Sequence, residues 1–159
     1  MIGGLIRLLS VAAFSATVLI TLTASARAEM PLQTLYTLNC SGCHGAKGQG
    51  VPEAGIPDLN DAGRYVRTEL GRKYLIQVPG LSQSRLDDAT AARLLNWVLH
   101  EFSANRLPAD FAPDTTEEVT RFRSDKASDA KTRRDAILAE LRRRGLLEPG
   151  YDPATPARN

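Results

Sequence analysis

Both cysteines of this 159-residue chain, and one of its two histidines, fall within five consecutive positions, Cys40-Ser41-Gly42-Cys43-His44. No other stretch limits the chain as sharply, because two thiols and an imidazole this close must share one site. A disulfide from Cys40 to Cys43 closes a loop of only a few residues, and stabilisation by a bridge grows with loop length, so little is gained. Dithiol redox chemistry of the thioredoxin kind needs a strand leading into a helix, and that context is missing here. A closed zinc site needs four ligands, and His100 is the only other soft or borderline donor beside Cys40, Cys43 and His44.

The reading that employs all three side chains is attachment of a c-type haem, for which C-x-x-C-H is the sequence. Each thiol adds across a haem vinyl group to form a thioether, and His44, held next to them, directs an imidazole nitrogen at the iron. One haem c per chain, attached through Cys40 and Cys43, is therefore the expected cofactor.

The N-terminus fits an exported protein. Residues 1–28 carry a positive Arg7, an apolar run from Leu8 to about Leu22, and Ala26-Arg27-Ala28 as a small-x-small cleavage site, the pattern of a secretory signal. The apolar run falls short of the roughly 20 residues that cross a bilayer, so no stable span is expected after cleavage. Removing Arg7 and Arg27 leaves 18 basic residues against 18 acidic ones. A neutral mature chain offers no electrostatic argument for nucleic acid or an anionic membrane as partner. The expected location is periplasmic or secreted.

Around the motif, Leu32, Leu35, Tyr36 and Asn39 fall at helical spacing behind Pro31, so a short helix delivers the cysteines. Asp61 to about Gly71 and Arg72 to Gln77 read as two further helices, ended by Val78-Pro79-Gly80. Asp87 to Phe102 forms an amphipathic helix with Ala91, Leu94, Leu95, Val98 and Phe102 on one face. With His44-Gly45, Gly48, Gly50 and the stretch Gly55-Ile56-Pro57-Asp58-Leu59, the segment from about Thr34 to Phe102 resembles a class I c-type cytochrome. The resemblance implies an all-α fold, a small helical domain around one haem. It implies that Pro57 turns its carbonyl toward His44 and that Leu59 packs on the haem face. Arg64, Tyr65, Arg72 and Tyr74 are candidate partners for the haem propionates, since guanidinium groups and phenols suit carboxylates.

The chain departs from that family at the second iron ligand, which is usually a methionine in the loop before the last helix. Here the methionines are Met1 and Met30, and Val78-Pro79 stands nearest to the expected Met-Pro. Gln77, His100 and Met30 are the remaining candidates for the distal position. His100 lies opposite the apolar stripe of its helix at ~100° per residue, which directs it to solvent. The expectation is an iron with one strong protein ligand, His44, and a distal position that is vacant, water-bound or weakly occupied.

The sequence thus divides into a signal peptide at 1–28, a haem domain at 29–103, a linker at 104–114, a helical extension at 115–147 and a flexible tail at 148–159. Thr115 and Glu118 form a capping-box pattern ahead of Val119 and Phe122. Ala127, Ala130, Ile137, Leu138 and Leu141 mark a second helix from about Ser128 to Arg144, stopped by Gly145. These helices either cover apolar surface of the haem domain or form a docking surface for a redox partner. Two functions follow: an electron carrier between periplasmic redox proteins, such as a dehydrogenase and its acceptor, or a haem-based ligand-binding or peroxidase-like protein with an open distal iron. No histidine or carboxylate is well placed as a distal acid or base, which favours the non-catalytic carrier, or an electron-transfer subunit of a redox enzyme.

Overall fold

The computed structural model describes residues 29–124 and 129–151. The expected signal peptide and most of the expected tail lie outside the described residues, as does the beginning expected for the last helix. Among the described residues there are α-helices and short 3-10 segments but no strand, the all-α architecture expected. The α-helices are α1 (Leu32–Asn39), α2 (Ser41–His44), α3 (Glu69–Gln77), α4 (Pro79–Ser82), α5 (Asp88–Ser103), α6 (Thr116–Arg123) and α7 (Ala130–Arg143). None of them is long and apolar enough to cross a membrane.

Helix α5 is the beam of the fold. Asp87 starts it by accepting the Thr90 N–H at 2.7 Å, satisfying a donor that the first turn leaves unpaired. One of its faces, through Leu94 and Val98, packs on Leu35 and Tyr36 of α1. The Tyr36 ring lies 4.9 Å from Phe102 and 5.8 Å from Trp97, centroid to centroid, which locks the two helices together. The adjacent face, through Ala91, Ala92, Leu95 and Leu99, joins the larger core with Tyr65, Leu75, Ile76 and Leu81.

The middle of the chain breaks in a different place from the sequence expectation. A 3-10 helix, Leu59–Arg67, ends at Thr68, which is extended and whose hydroxyl accepts the Gly71 N–H at 3.1 Å to start α3. Gly71, read from sequence as a helix stop, sits inside α3. A Cβ there would lie 2.0 Å from the Tyr65 carbonyl oxygen, so glycine is what lets α3 fold back on the 3-10 segment.

The two C-terminal helices belong to the same core. The capping box forms as the sequence suggests, with Thr115 accepting the Glu118 N–H and Glu118 accepting the Thr115 N–H. Val119, Phe122, Ile137, Leu138 and Leu141 are buried in one cluster with α3 and α5. Each fully buried aliphatic side chain is worth about 1.5–3 kcal/mol, so the apolar faces of α6 and α7 are spent inside the molecule. The connector is pinned as well: Asn96 donates to the Asp114 carbonyl at 2.9 Å and accepts the Asp114 N–H at 2.8 Å.

Candidate functional site

Helix α1 carries the chain to Cys40, whose N–H still donates to the Tyr36 carbonyl at 2.8 Å. The single turn of α2 then places Ser41 to His44, and the Tyr36 hydroxyl donates to the Gly45 carbonyl at 2.6 Å to hold the turn against α1. Nδ1–H of His44 donates to the Pro57 carbonyl at 3.0 Å. Because a carbonyl can only accept, this bond leaves Nε2 as the nitrogen with a free lone pair. Burial holds the His44 pKa below its usual value, with the Pro57 bond opposing it, so the ring is neutral and able to bind a metal at neutral pH.

The loop that brings Pro57 round is a tight backbone web. Gly50 donates its N–H to the His44 carbonyl at 2.9 Å, and Leu59 donates to the Gly48 carbonyl at 2.7 Å. An isolated antiparallel bridge, Val51 to Ile56, closes the loop between them. Gly50 has φ +64°, and a Cβ on it would lie 2.4 Å from the Pro57 oxygen. The residue that sets His44 therefore depends on a position open only to glycine.

Cys40, His44, Pro57 and Leu59 line one cleft with about 680 Å³ of empty space, its mouth included. Its walls are otherwise Asp58, Ala62, Tyr65, Tyr74, Leu75, Val78, Leu81, Leu94, Leu95 and Val98. Cys43 is exposed beside it, and the two thiols are unbridged. Burial, with Cys43 adding to it, pushes the Cys40 thiol up to about 11, so it is not the reactive thiolate that a dithiol redox site uses. Apolar walls, one basic nitrogen and two thiols at one side fit a flat, mostly hydrophobic macrocycle. An orphaned donor near the cleft also suits a group carrying carboxylates: Nε of Arg134 on α7 is buried without a hydrogen-bond acceptor.

The other candidates are placed as follows. Tyr65 and Tyr74 line the cleft, stacked with centroids 5.7 Å apart. Arg64 points away from it: Nε pairs with Asp61 at 2.9 Å, Nη1 bonds Glu148, and the guanidinium covers the Tyr151 ring. Arg72 pairs with Asp114 at 2.8 Å and donates to the Ala112 carbonyl at 2.8 Å. Gln77 is buried, but on the side of α6, where Nε2 donates to the Phe122 carbonyl at 2.9 Å. His100 is exposed with its ring against Phe111, and Met30 is 47% exposed ahead of α1. None of these three lines the cleft.

Two residues around the site went unnoticed in the sequence, Arg134 and Arg123. Arg134 donates through Nη1 to the Gly55 carbonyl at 3.0 Å and bonds the Tyr74 phenol. Arg123 of α6 gathers the loop before α5, donating to the Leu86 carbonyl at 2.7 Å and the Ser84 carbonyl at 2.6 Å while pairing with Asp88 at 2.8 Å. Both signals were in the spacing: Arg134 precedes Ile137, Leu138 and Leu141 by three, four and seven residues, and Arg123 follows Val119 by four. Each lies on a stripe that faces the core.

The cytochrome c family model matches residues 32–100. Cytochrome c-552 of Thermus thermophilus is 30% identical over 125 residues, covering 67% of this chain and 92% of that protein. A second cytochrome c-552, from a named strain of the same organism, is 30% identical over 125 residues, with 81% of its length covered. No solved structure matches. Cys40 and Cys43 fit the attachment motif of that family, and the cleft beside them fits its cofactor. The chain belongs to the cytochrome c family, as a class I c-type cytochrome that carries electrons on covalently bound haem c.

Proposed function

We propose that this cytochrome is exported, is joined to its haem through Cys40 and Cys43, and passes single electrons between periplasmic redox proteins with Nε2 of His44 as the proximal iron ligand. The observation that carries this reading is the bond from His44 Nδ1–H to the Pro57 carbonyl at 3.0 Å, which fixes the tautomer a metal ligand needs. Haem iron supplies the one-electron chemistry when bound; the chain's own residues hold the ring, exclude water and set the potential. The apolar walls from Leu75 to Val98 keep the electron in a low-dielectric site, and the exposed Cys43 edge brings the cofactor close to a partner. A dehydrogenase with a soluble acceptor is the class of partner that suits such a carrier.

A second reading is supported by the composition of the cleft. Neither α4 nor α5 contributes sulfur or imidazole to it; they supply Leu81, Leu94, Leu95 and Val98, with Val78 just before α4. An iron without a strong second protein ligand could take a diatomic gas or peroxide. Titration of the purified ferrous protein with carbon monoxide separates the cases. Rapid stoichiometric binding is expected for a weakly occupied distal position, and absence of binding means a strong sixth ligand. A reversible one-electron redox titration together with no peroxide turnover above the level of free haem then supports the carrier over the enzyme.

A further inference from the structure

We infer that Arg134, on the C-terminal helix α7, is a haem-propionate binding residue, which makes that helix part of the cofactor site. This rests on the reading that haem occupies the cleft beside Cys40 and His44. Arg134 is under-used where it lies. Its Nη1 donates to the Gly55 carbonyl at 3.0 Å and its guanidinium bonds Tyr74, yet the Nε–H is buried with no acceptor. A buried guanidinium donor left unpaired costs free energy unless an acceptor arrives with the ligand. Asp135, next in sequence, is held by Lys131 at 2.9 Å.

Position supplies the second half. The depression between the 52–57 loop and α7, lined by Gly55, Ile56, Pro57, Lys131 and Arg134, meets the haem cleft at Pro57, which borders both. Tyr74, bonded to Arg134, also lines the haem cleft and stacks on Tyr65. A carboxylate leaving the cleft between Pro57 and Tyr74 therefore meets a guanidinium edge and two phenols. Haem carries two such carboxylates at one edge, and an arginine can engage one through Nε and Nη together. Arg64 and Arg72, the two arginines that the sequence offers for this role, are bound to carboxylates of the chain itself and leave it open.

The test is the reduction potential of the holoprotein as a function of pH in the parent, Arg134→Met, Arg134→Lys and Arg143→Met. Arg143 is exposed in the last turn of the same helix and controls for loss of one charge. A propionate paired with Arg134 stays ionised, so the parent should be flat between about pH 5 and 8; without the cation its pKa rises. Arg134→Met should have a lower potential that climbs as pH falls through that range, Arg134→Lys should restore most of the parent's behaviour, and Arg143→Met should match the parent. The groups around Arg134 are common to all four proteins: Glu53 on the loop, Asp61 and Tyr65 on the 3-10 helix, Tyr74 on α3, Lys131, Arg133 and Asp135 on α7, and Tyr151, which bonds Asp61 at 3.2 Å. Burial raises the phenols well above the range measured. Identical pH profiles for Arg134→Met and Arg143→Met overturn the inference. Arg134→Gln is measured alongside, since it can still reach a carbonyl if the methionine variant loses its fold, and the same two outcomes decide. A parent lacking covalent haem removes the underlying reading instead, a failure visible before any variant is compared.

Discussion

His44 and Pro57, thirteen residues apart, are joined by a 3.0 Å hydrogen bond that a third residue, Gly50, makes geometrically possible. Replacing Gly50 by alanine puts a Cβ 2.4 Å from the Pro57 oxygen and adds the left-handed strain of φ +64°. The expected loss is about 2–5 kcal/mol, combining ~1–2 for the backbone with ~1–3 for the clash. Gly55→Ala is the comparison, because φ there is +76° but nothing lies within 4 Å of the added carbon. It should lose about 1–2 kcal/mol and leave the spectrum of the haem unchanged. Thermal melts of the two holoproteins check the ranking.

Arg123 ties α6 to the loop that precedes α5, through the carbonyls of Ser84 and Leu86 and the carboxylate of Asp88. Arg123→Met removes charge-assisted bonds that hold half-buried carbonyls. It is expected to cost roughly 2–4 kcal/mol in a chemical denaturation curve. Amide hydrogen exchange should quicken at Ser84 and Leu86 in the same variant while α1 remains protected.

Asp114 gives the protein a pH-dependent stability. Its carboxyl is buried, and burial outweighs the Arg72 guanidinium 2.8 Å from one of its oxygens, so the group is pushed up to about 6 from 3.8. A carboxyl with a raised folded pKa contributes stability that is present below about pH 4 and lost as pH rises through about 6. The gap corresponds to roughly 3 kcal/mol. Asp114→Asn should remove this slope between about pH 4 and 6, as read from denaturation midpoints across the range.

Val78 lines the cleft immediately before Pro79, and Val78-Pro79 stands nearest to the Met-Pro that the class I resemblance leads one to expect. Val78→Met should supply a thioether to the distal side. The expected outcome is a higher reduction potential and lost carbon monoxide binding, since Met/His ligation raises the potential. Unchanged binding of carbon monoxide in a folded Val78→Met protein counts against the distal placement of Val78.

How much of this was legible beforehand depends on the range of the signal. The Cys40-Ser41-Gly42-Cys43-His44 motif and the stripe on α5 are local patterns, and family, cofactor and helical fold followed from them. The capping box at Thr115 and Glu118 is equally local and forms as read. What could not be read was pairing between distant segments. Arg72 looks available in the sequence because its carboxylate, Asp114, stands 42 positions away, and Arg64 adds to its neighbour Asp61 a second carboxylate, Glu148, from 84 positions away. Gln77 was a distal candidate for the same reason; only the fold shows its amide turned to Phe122. The shift of the helix break to Thr68 reflects a close approach, Gly71 against the Tyr65 backbone, that no propensity encodes. Arg134 was hidden among the arginines of α7, and its helical phase was the one clue.

The central claim is that His44 is the one strong protein ligand on a haem held by Cys40 and Cys43. The absorption spectrum of the purified protein in both oxidation states tests it most directly. The expected result is the spectrum of a thioether-linked haem, with no methionine-to-iron charge-transfer band at the red end of the ferric form. A ferric spectrum that contains that band contradicts the account.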